Sequence, residues 1–155
     1  MLKLEDLDKV LYIDIQTVCL PYSDSGFDLL HHSRGGDVNL AVRESKLSYY
    51  KLNGCLYSEL SRISCIGLGY RSGLNYTVRY YEDKDEASLL RLFLMDAGKL
   101  LTLGEFGCKY SYVCGHNILN FDLPFLLRRV MINGLRLSSV PDLFRFDKRK
   151  PWENG

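Results

Sequence analysis

Apolar and polar positions along the chain change their period several times, and each change marks a predicted element. Residues 10–18 are apolar and rich in β-branched side chains, which predicts a buried strand with polar residues near its end. Two further strand-like runs, 62–70 and 75–82, flank the turn-forming residues 71–73. We expect these two runs to form a β-hairpin that lies antiparallel beside the first strand.

The next part of the chain has helical periods. Asp83 and Glu86 have the spacing of a capping box, and apolar residues then recur every three or four positions, which predicts a helix from about residue 84 to 103. A short apolar strand follows at 110–114. Because a long helix precedes it, we expect this strand to pair in parallel with the first strand. A second helix is predicted over 121–132.

The order of these elements predicts an α/β fold with a mixed sheet, in which three antiparallel strands are followed by a parallel strand and helices flank the sheet. At 155 residues the chain has the length of a single domain, and we assign residues 1–155 to one. No period holds between residues 21 and 51, so we interpret this segment as an irregular insertion with one short helix.

Composition narrows the functional classes. The 20 basic and 19 acidic residues nearly balance, so no global field attracts the chain to nucleic acid or to a membrane surface. A nucleic-acid site would have to be local, and the only basic clusters are Arg128 with Arg129 and residues 148–150.

Cellular location is indicated by the cysteines and by the hydropathy profile. Five cysteines without CxxC spacing fit a reducing compartment better than a disulfide framework. The first residues are too charged for a signal peptide, and no apolar stretch reaches the length of a membrane span. We therefore expect a cytoplasmic protein without a membrane partner; the sequence leaves its oligomeric state open.

Two acids stand at the edges of apolar elements. Asp14 lies near the end of the first predicted strand, and Asp122 lies at the start of the second predicted helix. Carboxylates placed in this way can converge on a hard divalent cation such as Mg²⁺. An isolated acid at a strand end is more often the cap of a turn, and it is the second acid that favours a site.

The residues around these acids form two motifs. The first reads Asp14-Ile15-Gln16-Thr17, and the second runs from Asn117 to Phe121-Asp122. Together they resemble the two leading motifs of the proofreading-type 3′-to-5′ exonucleases, the DEDD superfamily. Residues 56–70 and 141–153 also look like the predicted exonucleases related to the editing domain of family B DNA polymerases.

The resemblance implies a ribonuclease H-like fold and a site for two Mg²⁺ or Mn²⁺ ions, which such enzymes use to hydrolyse the terminal phosphodiester. The implied substrate is the 3′ end of a single-stranded nucleic acid, with DNA favoured over RNA and the choice between them left open by the sequence. The implied metal ligands are Asp14 and Asp122, with Gln16 as a weak ligand or as the group that orients a metal-bound water. The implied substrate contacts are Asn117, Phe121 and, through its backbone, Thr17, although a core role for Phe121 is equally open.

Two departures from the family pattern matter. Gln16 replaces a glutamate, and an amide oxygen lacks the full charge of a carboxylate. The chain also stops at Gly155, before the third motif and its acid, so we expect the fifth strand and the C-terminal part of the fold to be truncated. Two of four acids then remain. The alternative function is therefore a catalytically inactive, exonuclease-like module that binds nucleic acid or protein, with His116 in a structural role.

Overall fold

A four-stranded mixed sheet organises the part of the chain that this computed structural model describes, which comprises residues 4–33, 43–72, 74–101, 110 and 112–136. Its strands are β1 (Val10–Cys19), β2 (Ser61–Ser72), β3 (Asn75–Glu82) and β4 (Tyr112–Cys114). The helices are α1 (Asp24–Ser33), α2 (Arg43–Asn53), α3 (Glu86–Leu101) and α4 (Asp122–Ile132), and short 3₁₀ turns cover Leu4–Lys9 and Gly54–Leu56.

The strands lie in the order β3-β2-β1-β4. β2 pairs antiparallel with both β1 and β3, whereas β4 pairs in parallel with β1. The predicted α/β class, with helices flanking a mixed sheet, is confirmed, as are the predicted hairpin and the parallel fourth strand. The expected truncation of the C-terminal part concerns residues 137–155, which lie outside the described residues.

The main core lies between one face of the sheet and the helices α3 and α4. Alternation along β1 buries Leu11, Ile13 and Ile15 on this face, as a strand half-covered by helices requires. α3 and α4 contribute apolar stripes at helical spacing, which include the fully buried Phe93 and Leu126. The other face of β1 is therefore where its polar side chains emerge.

The segment 21–51 differs from the prediction. Where it is described it contains two helices, α1 and α2, rather than one short helix in an irregular insertion. Phe27, Leu30, Tyr50 and Leu60 form a second, smaller core between them. The two helices meet mainly through aromatic rings distant in sequence, and tertiary packing of this kind leaves a weak periodic signal in each helix.

Histidines 31 and 32, which belong to the segment predicted to be largely irregular, lie in the last turn of α1. There the His31 ring stacks on Phe27, with ring centroids 5.6 Å apart. In the described part of the chain, no helix is both long enough and apolar enough to cross a membrane.

The start of α3 corrects the predicted capping box. The Asp85 carboxylate accepts a hydrogen bond from the backbone N–H of Ser88 at 3.0 Å and caps the helix in place of Asp83. Glu86 turns into the core, where it binds Arg129. The capping-box spacing was therefore coincidental, because a sequence pattern cannot show which way a glutamate points.

Candidate active site

The first motif lies on the uncovered side of β1. Since Ile13 and Ile15 face the core, Asp14 and Gln16 point to the opposite face and are exposed. The Gln16 side-chain amide donates a hydrogen bond to Asp14 Oδ2 at 2.9 Å. Gln16 therefore contacts the first acid directly, but it does so through its N–H group rather than its carbonyl oxygen.

Thr17 does not join these two residues. The register between β1 and β2 shifts between Gln16 and Thr17, which is the mark of a β-bulge. The Thr17 hydroxyl then donates to the carbonyl oxygen of Cys55 at 2.7 Å. Thr17 lines a separate apolar cavity of about 570 Å³ together with Cys19, Tyr50 and others.

The second motif is brought against β1 by a glycine. A Cβ atom on Gly115, directly after β4, would lie 2.3 Å from the carbonyl oxygen of Ile13, so any larger residue would displace the chain here. Asn117 then adopts a left-handed conformation with φ of 53°, which asparagine tolerates better than most residues. Its carbonyl oxygen accepts hydrogen bonds from the N–H groups of Asn120 and Phe121, and this turn leads into α4.

Asp122, the first residue of α4, is 3 % exposed. Its Oδ1 accepts a hydrogen bond of 3.1 Å from the backbone N–H of Ile15. This contact joins residues 107 positions apart and fixes the second acid beside the first motif. The N-terminus of α4 also favours a negative charge at this position.

The electrostatics of Asp122 reflect its burial. Desolvation has the largest influence and raises the pKa of the carboxyl. The N–H groups of Ile15 and of Asp122 itself lower the pKa, Asp14 raises it and His116 lowers it, and the net result lies above the ordinary value. The Asp14 carboxylate is therefore among the groups that influence the pKa of Asp122.

A cleft of about 320 Å³ opens at this point. It brings together four of the predicted site residues, Asp14, Asn117, Phe121 and Asp122. Gln16 is bonded to Asp14 but lies outside the lining, and Thr17 belongs to the other cavity. The remaining lining residues are Ile15, Leu56 and His116. Leu56 was not predicted, because an exposed leucine in a short turn carries no chemical signal.

Phe121 has a mixed environment that fits both of its predicted roles. Its ring lies 5.3 Å from that of Phe125 and packs on the main core, yet it also borders the cleft. Asn117 is exposed, and its side-chain oxygen accepts a hydrogen bond from the Asn120 amide at 3.1 Å.

Asp14 and Asp122 are the acids of the cleft that could hold a cation. Asp14 Oδ2 is bonded to Gln16 and Asp122 Oδ1 to Ile15, which leaves one further oxygen on each carboxylate. Mg²⁺ bound by one or two carboxylates typically keeps several waters, so such a pair is a sufficient protein contribution for a single ion. Among the described residues, no group of three or more His, Cys, Asp or Glu side chains is arranged to hold a metal ion.

Comparisons with known proteins do not assign a family. No family model, curated protein or solved structure matches this chain. The geometry of the cleft and the motifs themselves therefore carry the functional argument.

Arg129, one member of the first basic cluster, is engaged inside the protein. Arg129 is 6 % exposed and forms an ion pair with Glu86, while its Nη1 donates to the carbonyl oxygen of Ser58 at 2.7 Å. Arg129 is therefore not placed to meet a phosphate. Arg128 is exposed, and residues 148–150 lie outside the described part of the chain.

Glu86 and Arg129 form another buried polar cluster in the described part of the chain. Glu86 Oε1 accepts from the backbone N–H of Ile63 at 2.7 Å, and Oε2 accepts from the Asn133 amide at 3.0 Å. Burial acts to raise the pKa of Glu86, but the hydrogen bonds from Arg129, Asn133 and Ile63 outweigh it, and the pKa lies below the ordinary value. The cluster ties α3, α4 and β2 together.

Proposed function

We propose that this chain is a 3′-to-5′ exonuclease domain of the ribonuclease H-like superfamily, closest to the editing type of family B DNA polymerases. It acts with Mg²⁺ or Mn²⁺ on the 3′ ends of single-stranded DNA. The observation that carries the proposal is the hydrogen bond from Ile15 N–H to Asp122, because it holds the acid of the second motif beside Asp14 of the first. The sheet order β3-β2-β1-β4, with one parallel strand, supports the fold assignment.

Each residue of the cleft has a role in this proposal. Asp14 and Asp122 would hold a divalent cation through the carboxylate oxygens that their hydrogen bonds leave available. Bound there, such an ion would supply an activated water and would neutralise charge on the phosphate. Asn117 and Phe121 contact the terminal nucleotide from the cleft wall, and Thr17 is available only through its backbone, since its hydroxyl is bonded to Cys55.

The proposed activity is weak. Gln16 adds no negative charge where related enzymes have a third ligand, and its N–H group occupies an oxygen of Asp14 that would otherwise face a cation. Fewer charged ligands lower the affinity for a hard divalent ion. We therefore expect cleavage to require Mn²⁺ in excess.

The same contact favours a second candidate function. The Gln16 amide donates a hydrogen bond to Asp14, so this carboxylate has a partner within the protein when no metal is bound. In that case the domain is a catalytically inactive module that binds single-stranded nucleic acid or a protein partner through the cleft.

Cleavage of single-stranded DNA labelled at its 5′ end separates these functions. With Mn²⁺ in excess we expect products shortened stepwise from the 3′ end, and we expect Asp14→Ala and Asp122→Asn to abolish them. Asp28→Asn is the matched control, because Asp28 is an exposed acid on α1, away from the cleft. No shortening by the wild-type chain, or equal shortening by Asp14→Ala, would contradict the nuclease proposal.

Fluorescence anisotropy with the same oligonucleotide tests the second candidate. Binding without cleavage that is weakened by Phe121→Ala and unaffected by Asp14→Ala would support a binding module. Absence of both binding and cleavage would remove nucleic acid from either function.

A further inference from the structure

The strand β3 is an edge of the sheet that nothing in the described part of the chain covers. It stands last in the order β3-β2-β1-β4 and pairs only with β2. That pairing is regular from Ser72 opposite Asn75 to Cys65 opposite Glu82, without a bulge. The strand also lacks proline and lysine, which often protect an edge from pairing with another chain.

Three large apolar side chains stand in a row on this edge. Tyr76 is 73 % exposed, Val78 is 58 % exposed and Tyr80 is 73 % exposed. All three lie on the face of the sheet opposite α3, since the alternate residues Arg79 and Tyr81 bond to Asp96 on that helix. Single exposed apolar residues are ordinary, but three successive ones on an unpaired strand mark an interaction surface.

From these observations we infer that β3 pairs antiparallel with β3 of a second copy of this chain, about a two-fold axis at Val78. The result is a continuous sheet of eight strands across the dimer. This inference does not depend on the proposed nuclease activity, because β3 contributes no residue to the cleft.

The register follows from the sequence of the strand. In a continued sheet, opposite residues must lie on the same face, so the axis must pass through one residue. An axis at Val78 places Tyr76 opposite Tyr80 of the second copy on both sides of a Val78 pair. An axis at Arg79 would oppose two arginines directly, which is destabilising. An axis at Thr77 would shorten the pairing and leave Tyr80 beyond it.

Sedimentation velocity of the full chain, from about 1 to about 100 µM, tests the dimer. We expect a species of twice the 17.9 kDa chain mass that forms with increasing concentration. Val78→Lys should shift it to monomer, because the two-fold axis places two like charges opposite each other. Leu92→Lys is the matched control, since Leu92 is an exposed apolar residue on α3. Circular dichroism establishes that both variants are folded.

A monomeric wild-type chain over the whole range would overturn the inference. So would a folded Val78→Lys variant that dimerises as the wild type does. If Val78→Lys fails to fold, Val78→Cys decides the question instead. In the dimer its two thiols lie opposite each other, and oxidised glutathione should join them by taking up two electrons and two protons.

The same chemistry tests the register. Tyr76→Cys alone should not cross-link above the wild-type background, because its two copies would stand about 13 Å apart along the strands. That separation exceeds the roughly 7 Å that a disulfide can span between Cα atoms. A mixture of Tyr76→Cys with Tyr80→Cys should cross-link. Cross-linking of Tyr76→Cys alone at the level of Val78→Cys would overturn the Val78 axis.

Discussion

The helix α4 carries a buried charged residue at each end, and the two ends differ in one respect. In its last turn, Arg129 forms an ion pair with Glu86, which also accepts hydrogen bonds from Ile63 and Asn133. At its start, Asp122 is equally buried, but no lysine or arginine of the described residues forms an ion pair with it. The pKa of Glu86 is lowered by its partners, whereas burial raises the pKa of Asp122.

The difference separates a structural cluster from a candidate site. A buried carboxylate with a cation and several donors is a compensated element of the fold. A buried carboxylate beside a second acid, at the wall of an open cleft, carries an unfavourable interaction that a bound cation would relieve. The first should matter for stability and the second for ligand binding, and the following four predictions test that division.

The largest change in stability is expected from substitution of Arg129, in the last turn of α4. Arg129→Met leaves the Glu86 carboxylate buried without a cation, and removing one partner of such a pair destabilises a protein by about 3–5 kcal/mol. Urea denaturation measures the change in the free energy of unfolding. Arg128→Met is the matched control. Arg128 is exposed, so its substitution should change the free energy of unfolding little. Equal effects of the two substitutions would contradict a structural role for Arg129.

A smaller loss of stability is expected from substitution of Gly115, where the second motif packs against β1. Gly115→Ala places a Cβ against the Ile13 carbonyl oxygen, and overpacking of this kind costs about 1–3 kcal/mol. Because the turn at Asn117 must move with it, Mn²⁺ binding should weaken as well. Gly69→Ala is the control, since its Cβ would lie 3.5 Å from Tyr12 Cβ, an ordinary contact. Full stability and full Mn²⁺ affinity in Gly115→Ala would show that this close approach is unimportant.

A carboxylate at position 16 should strengthen cation binding in the cleft. Gln16→Glu adds a third acid beside Asp14 and removes the amide that bonds it. We expect the affinity for Mn²⁺, measured calorimetrically, to rise on the order of tenfold, because ligand charge controls the affinity for hard cations. Gln16→Ala, which removes the amide without adding charge, should have a smaller effect. An unchanged affinity in Gln16→Glu would mean that residue 16 does not face the cation.

The smallest effect concerns the stability of the candidate site itself. Asp122→Asn keeps the oxygen that accepts from Ile15 N–H but removes the buried charge. Its melting temperature at pH 7 should exceed that of the wild type by a few degrees at most. The sign follows from the raised pKa of Asp122, because the folded state binds this proton more tightly than the unfolded state does.

The advantage of Asp122→Asn should therefore be complete above the raised pKa and vanish below the ordinary value of 3.8, where the wild-type side chain is also neutral. Thermal melts at several pH values measure this difference. A variant that is destabilised at pH 7, as Arg129→Met is expected to be, would place Asp122 among the structural residues instead.

Local periods predicted most of the sheet and the start of α4 at Asp122, whereas Asp14 lies in the middle of β1 rather than near its end. The alternation in β1 set the face of Asp14, and the helical start after Phe121 set the position of Asp122. The capping-box pattern gave a wrong prediction, because a glutamate near a helix start can either cap the helix or form a buried ion pair. Glu86 has the spacing of a cap but pairs with Arg129, 43 residues away, and such a partner is not visible in either local segment.

Two other features have causes outside the local sequence. The change of register between β1 and β2 beside Gln16 and Thr17 depends on how the two strands pair, and nothing in the sequence of β1 marks it. The helices α1 and α2 depend on contacts such as that between Tyr22 and Tyr50, whose rings meet at 5.4 Å only once the chain has folded. Both features arise from tertiary packing rather than from periodicity.

The central claim is that Asp14 and Asp122 form one cation site, and calorimetric titration of Mn²⁺ into the purified chain tests it most directly. We predict saturable binding at a single site, which Asp14→Ala and Asp122→Asn each abolish and the control Asp28→Asn retains. Absence of binding, or binding of equal affinity in Asp14→Ala, would contradict the claim.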